Sequence, residues 1–326
     1  MAAIAAPESN GISFFKFLSR YGVIAAMLLT VVVFSVLRPD SFFTLFMLKS
    51  VLRDSAPLMM VALGVTFVMV MNDFDMSVGG LTALMATITM MLISSAYVGL
   101  SVWIGIPLAL LIGTAFGAVN GALIAYVKLH SFILTIAMGT VFTGLALQMT
   151  GSASIYSGIP PEYAVLAGVG PFGLSNQVYI GLAVLLVAHL VLRHTQAGRY
   201  MYALGGNAEA ARMSGVPVRF LKMSGYAIIG LMTAVTGIML TSQAGAANPN
   251  TGLGLLMPAY AAAFLGSSML RVGQFSAIGT ALGALFLQII GSGLTVLNLS
   301  GSLIQLIQGA ILIFAIILAR FNGKAA

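Results

Sequence analysis

Residues 205–222 read GGNAEAARMSGVPVRFLK, a polar and basic stretch set between long apolar runs. Glu209, Arg212, Arg219 and Lys222 lie within it and Arg199 just upstream, whereas the flanking runs hold almost no charge. Asn207 has the short oxygen-bearing side chain that caps a helix, and Glu209 falls in the first turn, where the helix dipole favours an anion. Gly215 followed by Pro217 then ends the helix. The stretch therefore predicts a short exposed helix with membrane segments on both sides. Its small residues Ala208, Ala210 and Ala211 let another protein approach closely, and Glu209 and Arg212 are placed to fix register. An ordinary basic cytoplasmic loop is the alternative reading of the same residues.

Outward from this island the composition sets the class. The chain has 326 residues, 60% hydrophobic and only 6% charged, with a mean hydropathy of +1.07. Soluble domains carry about 25% charged residues, so a soluble globular fold is excluded. Apolar runs near the roughly 20 residues that a helix needs to cross a bilayer favour helices over a barrel, whose strands alternate apolar and polar. The expected fold is all-α, a polytopic transmembrane bundle forming a single domain over 1–326. No cysteine is present and His130, His189 and His194 are scattered, so neither disulfides nor a metal-ligand cluster is expected. The net charge of +7 reads as membrane orientation, not nucleic-acid binding.

In order, the apolar segments fall near 21–37, 55–71, 81–99, 102–126, 132–149, 177–193, 223–242, 257–270, 275–296 and 303–320, giving about ten spans. Residues 1–20 form an N-terminal cytoplasmic segment, and 39–54, with Lys49 and Arg53 at helical spacing, suit an amphipathic segment lying along membrane lipid. With the N-terminus inside, Lys16, Arg20, Lys128, Arg193, Arg199, Arg212, Arg219, Lys222, Arg271, Arg320 and Lys324 collect on the cytoplasmic side. Only Arg38, Lys49 and Arg53 fall outside, which is the bias of a bacterial inner-membrane protein with both termini cytoplasmic. The island, within a loop over 194–222, is then cytoplasmic.

Ile112 to Ala118 reads IGTAFGA and Ile278 to Ala284 reads IGTALGA, about half the chain later, in the fourth and ninth segments. An offset of five crossings reverses direction, so the echo predicts a five-plus-five inverted repeat with a pathway between the halves. Gly113, Gly117 and Gly121, with Gly279 and Gly283, recur every fourth residue and predict close helix packing inside one chain.

Asn72, Asp73 and Asp75 in NDFDMSVGG interrupt the second and third segments, and a carboxylate near membrane depth counts as a functional candidate. The candidate pathway residues are Asn72, Asp73, Asp75, Ser77 and Gly79. A purely structural role is open for the same residues, with Asp75 or Ser77 capping the third helix and Gly79 permitting a bend. Asn120, Gln148, Gln288, Gln305 and Gln308 also lie within apolar segments and suit either interhelical bonds or hydroxyl-rich solutes. Trp103 and the tyrosines at segment ends read as interfacial anchors. No phosphate-binding loop and no paired nucleophile and base appear, so no cofactor is expected on this chain and any ATP would be bound by another.

Glu209, Ala210, Ala211 and Gly215 reproduce an E-A-A-x-x-x-G spacing, and LGGNAEAARMSGVPVRFLKMSGY, DFDMSVGG and AAAFLGSS followed by IGTALGA occur in the same order as in a known family. Over roughly residues 40–320 the chain resembles the ribose-type sugar permeases of ABC importers. The resemblance implies a non-enzymatic translocation subunit of about ten helices. It also implies a second permease copy, two cytoplasmic ATP-binding subunits and an extracytoplasmic solute-binding protein. Asn207, Glu209, Ala210, Ala211, Arg212 and Gly215 would then form the helix that docks on the ATPase. The chain departs from the family at Asn72 and Asp73, where two glycines are usual. It departs again at Leu256, Met257 and Pro258, where an acidic residue is usual, and at Arg271 and Val272. An ion-coupled secondary transporter using Asp73 and Asp75 is the rival expectation; a structural or receptor subunit explains neither the island nor the acids.

Overall fold

The computed structural model describes residues 10–269 and 273–323; the first nine residues, Arg271, Val272 and Lys324 lie outside the described residues. In chain order the helices are α1 (Asn10–Leu37), α2 (Pro39–Phe42), α3 (Leu45–Val70), α4 (Val78–Ile93), α5 (Val102–Ala125), α6 (Ser131–Thr150) and α7 (Asn176–His194). They continue with α8 (Gln196–Gly206), α9 (Ala208–Met213), α10 (Val218–Ala244), α11 (Leu256–Ser267), α12 (Ala277–Val296) and α13 (Gly301–Gly323). Among the described residues, extended pairing is limited to the isolated bridges Ile155–Ala247 and Val169–Ser175. The all-α polytopic class is therefore observed. Six helices are long and apolar enough to cross a membrane, and four shorter apolar stretches fall on the remaining segments read from the sequence.

Residues 39–54 do not form a separate surface helix. The Thr44 hydroxyl accepts from the Met47 N–H at 3.1 Å, and from that cap the backbone runs unbroken through α3 for 26 residues. Nothing between Leu45 and the apolar run stops a helix, so Lys49 and Arg53 ride on the N-terminal end of a span. There Asp54 takes hydrogen bonds from Arg53 Nε at 2.7 Å and from Gln243 Nε2 at 2.8 Å, tying that end to the end of α10.

Helix α3 is the axis of the bundle, buried almost continuously from Ser55 to Val70. It packs on α12 as α10 packs on α5, and α4 packs on α6 as α11 packs on α13. Likewise α4 touches α10 as α11 touches α3. Exchanging α3 with α10, α4 with α11, α5 with α12 and α6 with α13 therefore maps one set of contacts onto the other. Such an exchange is what an inverted repeat produces. The leading helix of each half breaks the pattern, since α7 packs on α3 whereas α1 packs on α12.

The two echoing heptapeptides serve close packing against different neighbours. A Cβ at Gly117 would strike the Tyr226 carbonyl, one at Gly121 would lie 2.7 Å from Met223 Cα, and one at Gly230 would strike the Gly113 carbonyl. The α5 glycines thus seat α10 backbone against backbone. Gly279 and Gly283 instead face α11, where a Cβ would meet the carbonyls of Gly266 and Ala262. Both faces lie inside the chain, as the spacing predicts.

Helices α4 and α11 are short, 16 and 12 residues. At about 1.5 Å per residue they reach about 24 and 18 Å, less than the hydrocarbon thickness of about 30 Å. Each is preceded by irregular backbone, residues 71–77 before α4 and 245–252 before α11, the latter passing through a single 3-10 turn, Leu253–Leu255. These two approaches meet: a Cβ at Gly79 would lie 3.1 Å from the Leu253 carbonyl oxygen, and Gly252 lies against the Thr82 side chain. The third segment accordingly ends at Ile93, short of the expected 99.

Candidate functional site

Backbone that leaves the helix inside a membrane protein must find its hydrogen bonds in neighbouring protein, because lipid supplies none. The turn after α3 does this residue by residue. Asn72 takes the left-handed conformation, φ 58°, which asparagine tolerates better than other non-glycine residues. Tyr226 on α10 donates to the Phe74 carbonyl at 2.9 Å. The Tyr260 hydroxyl on α11 accepts from the Asp75 N–H at 2.8 Å and donates to the Asp75 carbonyl at 3.0 Å. The Phe74 ring stacks on Tyr260, with centroids 6.0 Å apart. Thr135 Oγ1 on α6 accepts from the Met76 N–H at 2.9 Å. Each partner comes from a different helix, so any movement of the turn is shared with α6, α10 and α11.

The two carboxylates have different surroundings. Asp73 Oδ2 pairs with Lys222 Nζ at 2.6 Å, a bond from the turn to the first turns of α10. Asp75 is completely buried. Its Oδ1 accepts from the Ser77 N–H at 2.8 Å and from the Ser77 hydroxyl at 2.5 Å, and that hydroxyl accepts from Asn120 Nδ2 at 3.0 Å. Asp75 Oδ2 and Asn120 Oδ1 are buried with no partner.

Several expectations change here. Ser77 stands at the N-cap of α4 but makes no side-chain capping bond; Asp75 instead closes an Asx turn just ahead of the helix. Gly79 does not bend the chain: it lies within α4 and admits the Leu253 backbone, and the bend is at Asn72. Tyr226 and Tyr260 are buried anchors of the turn, not interfacial residues, because their hydroxyls satisfy otherwise orphaned backbone. Trp103, at 84% exposure, sits on the outside of the bundle. Asp73, Asp75, Ser77 and Gly79 come together, all buried, with Asn72 exposed beside them. The pairing with Lys222 and the bonds from Tyr226, Tyr260 and Thr135 escape sequence reading because they join residues far apart along the chain.

Beside the other short helix lies a cavity of ≈ 360 Å³ lined by Gly254, Met257 and Pro258 at the start of α11, Leu287 of α12, and Gln305 and Gln308 of α13. It offers two amides and a helix N-terminus in an apolar wall. Among the described residues no group of acids or histidines could hold a metal ion.

The island forms the short helix its capping pattern predicts. Asn207 Oδ1 accepts from the N–H groups of Glu209 at 3.1 Å and Ala210 at 2.9 Å. At the far end Gly215, φ 80°, closes a Schellman turn: the Val216 N–H bonds the Ala211 carbonyl at 3.1 Å and the Gly215 N–H bonds the Arg212 carbonyl at 3.0 Å. Arg212 grips Glu209 through Nη2–Oε1 at 2.6 Å and Nε–Oε2 at 3.2 Å. These bonds, with the guanidinium charge, hold the Glu209 carboxyl below its ordinary value. Ala208, Ala210 and Met213 are exposed, but Ala211 is buried within the chain. A small-residue face open to a partner therefore excludes Ala211. From Gly215 only Val216 and Pro217 intervene before α10, which carries Lys222 to Asp73.

Residues 47–316, which contain both the turn and the island, match the family model described as branched-chain amino acid transport system / permease component. The chain belongs to this family of membrane permease components. It is 31% identical over 315 residues to the ribose import permease protein of Haemophilus influenzae, with 96% of each chain covered. The ribose import permease protein of Escherichia coli K12 is 32% identical over 297 residues, covering 90% of this chain and 91% of the relative. The D-allose transport system permease protein of the same organism is 28% identical over 320 residues, with 98% and 97% covered. In this permease Asn72 fills the left-handed position with a non-glycine residue, and the Asp73 carboxylate beside it is neutralised by Lys222.

Proposed function

We propose that this permease is the membrane-spanning subunit of an ATP-driven, binding-protein-dependent importer for a monosaccharide or a related polyol. It supplies the translocation path and catalyses no covalent step; ATP is bound and hydrolysed by two cytoplasmic subunits. An extracytoplasmic protein delivers the solute, and two permease copies, identical or closely related, flank one path. The chain sits in a bacterial inner membrane with both termini in the cytoplasm, as its basic residues favour. The relatives named for ribose and allose support the solute class.

The observation that carries this reading is the continuous connection from α9 through the Lys222–Asp73 pair to the junction of α4 and α11. An exposed, doubly capped helix at one end gives a partner a rigid handle. Short helices whose N-termini meet inside the bundle give it something to move. Asn207, Glu209, Ala210, Arg212 and Gly215 form the handle, with Ala211 as its buried footing; Asn72, Asp73, Asp75, Ser77 and Gly79 form the moving junction beside the path. The pairing of Asp73 with Lys222 balances that charge within the protein and counts against an ion-coupled carrier at Asp73. This leaves Asp75, buried with no cation beside it among the described residues, as the one carboxylate of the turn on which the rival reading could rest.

The absence of cysteine makes the docking testable with a single label. The Ala210→Cys variant, carrying a short photoreactive group, should crosslink to the ATP-binding subunit in the assembled complex. The same label at Tyr156, an exposed position in the predicted extracytoplasmic loop, should not. Crosslinking from Tyr156→Cys but not from Ala210→Cys would invert the topology and reject the docking helix.

A further inference from the structure

Two cavities adjoin on the seam between α7 and α12, and their chemistry differs sharply along the membrane normal. The first, ≈ 570 Å³, lies where α7 ends, α8 begins and α12 starts, and its lining includes His189, Arg193, Arg199, Ser276, Ala277 and Ile278. The second, ≈ 190 Å³, continues from Ile278 toward the other face between α3, α7 and α12, and is lined by Leu182, Leu185, Ala281, Leu282 and Leu285 among other apolar residues. Ile278 belongs to both. One site thus has a cationic end and an apolar trough joined at a shared wall.

The cationic end is suited to an anion. Arg193 and Arg199 are exposed and neither pairs with a carboxylate among the described residues; Arg199 reaches only the His194 carbonyl, at 3.4 Å. The Ser276 hydroxyl caps α12 by accepting from the Gly279 N–H at 3.3 Å. The N–H groups of Ala277 and Ile278, ahead of it in the first turn of a 20-residue helix, take no backbone partner among the described residues and add positive potential. Basic pockets between membrane helices on the cytoplasmic side are where anionic headgroups bind. Leu182, on the α7 wall of the trough, is exposed, as are Leu186 and Leu190 on later turns of the same helix, so the trough opens on the apolar outside of the bundle.

We infer that the α7–α12 seam is a binding site for one anionic phospholipid. Arg193, Arg199 and the first turn of α12 hold its phosphate, and the trough along Leu182, Leu185, Leu282 and Leu285 holds an acyl chain. The phosphate chemistry is shared with free phosphate, but the trough has a use only if a hydrocarbon chain is attached. The site lies where α8 leaves the membrane toward α9, so an occupying lipid would brace the base of the exposed helix.

The test is native mass spectrometry of the purified full-length permease in detergent, titrated with phosphatidylglycerol, with phosphatidylcholine, or with inorganic phosphate. Wild-type protein is expected to retain one phosphatidylglycerol per chain, at least tenfold more tightly than phosphatidylcholine. The R193Q/R199Q variant should lose that preference, and Leu282→Trp, which fills the trough and leaves the basic end intact, should weaken retention of both lipids. Millimolar inorganic phosphate should not displace the lipid. Equal retention of the two lipids by wild type, or undiminished phosphatidylglycerol preference in R193Q/R199Q, overturns the proposal. Displacement by inorganic phosphate alone, with Leu282→Trp behaving as wild type, overturns it in favour of a free-anion site. Circular dichroism of each variant separates loss of lipid from loss of fold.

Discussion

Lys222 Nζ lies 2.6 Å from Asp73 Oδ2, joining the beginning of α10 to the non-helical turn that ends α3, across 149 residues of sequence. Asp73 is 8% exposed and the lysine side chain about a quarter exposed, so the pair is sheltered but not dry. Removing one partner leaves a buried charge, which costs about 3–5 kcal/mol in a fully buried pair and about 2 kcal/mol after allowance for the solvent that reaches this one. Lys222→Met should therefore lower the unfolding midpoint in detergent clearly, and Lys222→Met with Asp73→Asn should restore most of the loss. If the double variant were as unstable as the sum of the single ones, the two side chains would not be coupled.

The turn owes its shape to tyrosine hydroxyls. Tyr260→Phe removes the one group that serves both the Asp75 N–H and its carbonyl, whereas Tyr226→Phe orphans a single backbone group of the turn, the Phe74 carbonyl. An unsatisfied buried polar group costs about 1–3 kcal/mol, so we expect Tyr260→Phe to destabilise by about 3 kcal/mol and Tyr226→Phe by about half as much. Chemical denaturation of the two variants measures the order. Equal effects would mean that water or a rearranged side chain replaces the second bond.

The α5–α10 contact leaves no space for a side chain. Gly230→Val would drive a branched Cβ into the Gly113 carbonyl, and backbone cannot yield as a flexible side chain does. We predict failure of membrane-inserted folding, seen as loss of a monodisperse detergent peak. Gly144→Val, where the space beside the glycine is open, should be tolerated.

Helix α9 carries a titration signature. Arg212 holds the Glu209 carboxyl below its ordinary value of 4.5, first by hydrogen bonding and then by charge. A lowered folded-state value means that the pair's contribution is fully present above the ordinary value and is lost as pH falls through the folded one. Carbon-13 NMR of labelled Glu209 should show its midpoint rising when Arg212 is replaced by Gln. Both groups are fully exposed, so the shift should shrink in high salt. An unmoved midpoint would show that the two side chains do not meet in solution.

Helices α9, α12 and the close-packed glycine faces were legible because each is encoded locally, in Asn207 and Gly215 or in a four-residue glycine period. Asp75 was legible as unusual, since a carboxylate in an apolar run is costly wherever it sits. Its companions were not. Tyr260 lies 185 residues away and looks like any tyrosine near a segment end, and Lys222 looks like one more basic residue of a loop. The continuity of α3 through Lys49 and Arg53 was also hidden, because an amphipathic surface helix and the exposed end of a span share one periodicity.

The most direct measurement of the central claim is uptake of radiolabelled monosaccharides, offered as a panel, by proteoliposomes holding this permease with the proposed ATP-binding subunit, with the solute-binding protein supplied on the opposite face from ATP. Accumulation is predicted only when ATP and the binding protein are both present, unchanged by a protonophore and abolished by Ala210→Trp on α9. Uptake by the permease alone, collapsing with a protonophore and insensitive to ATP, would contradict it.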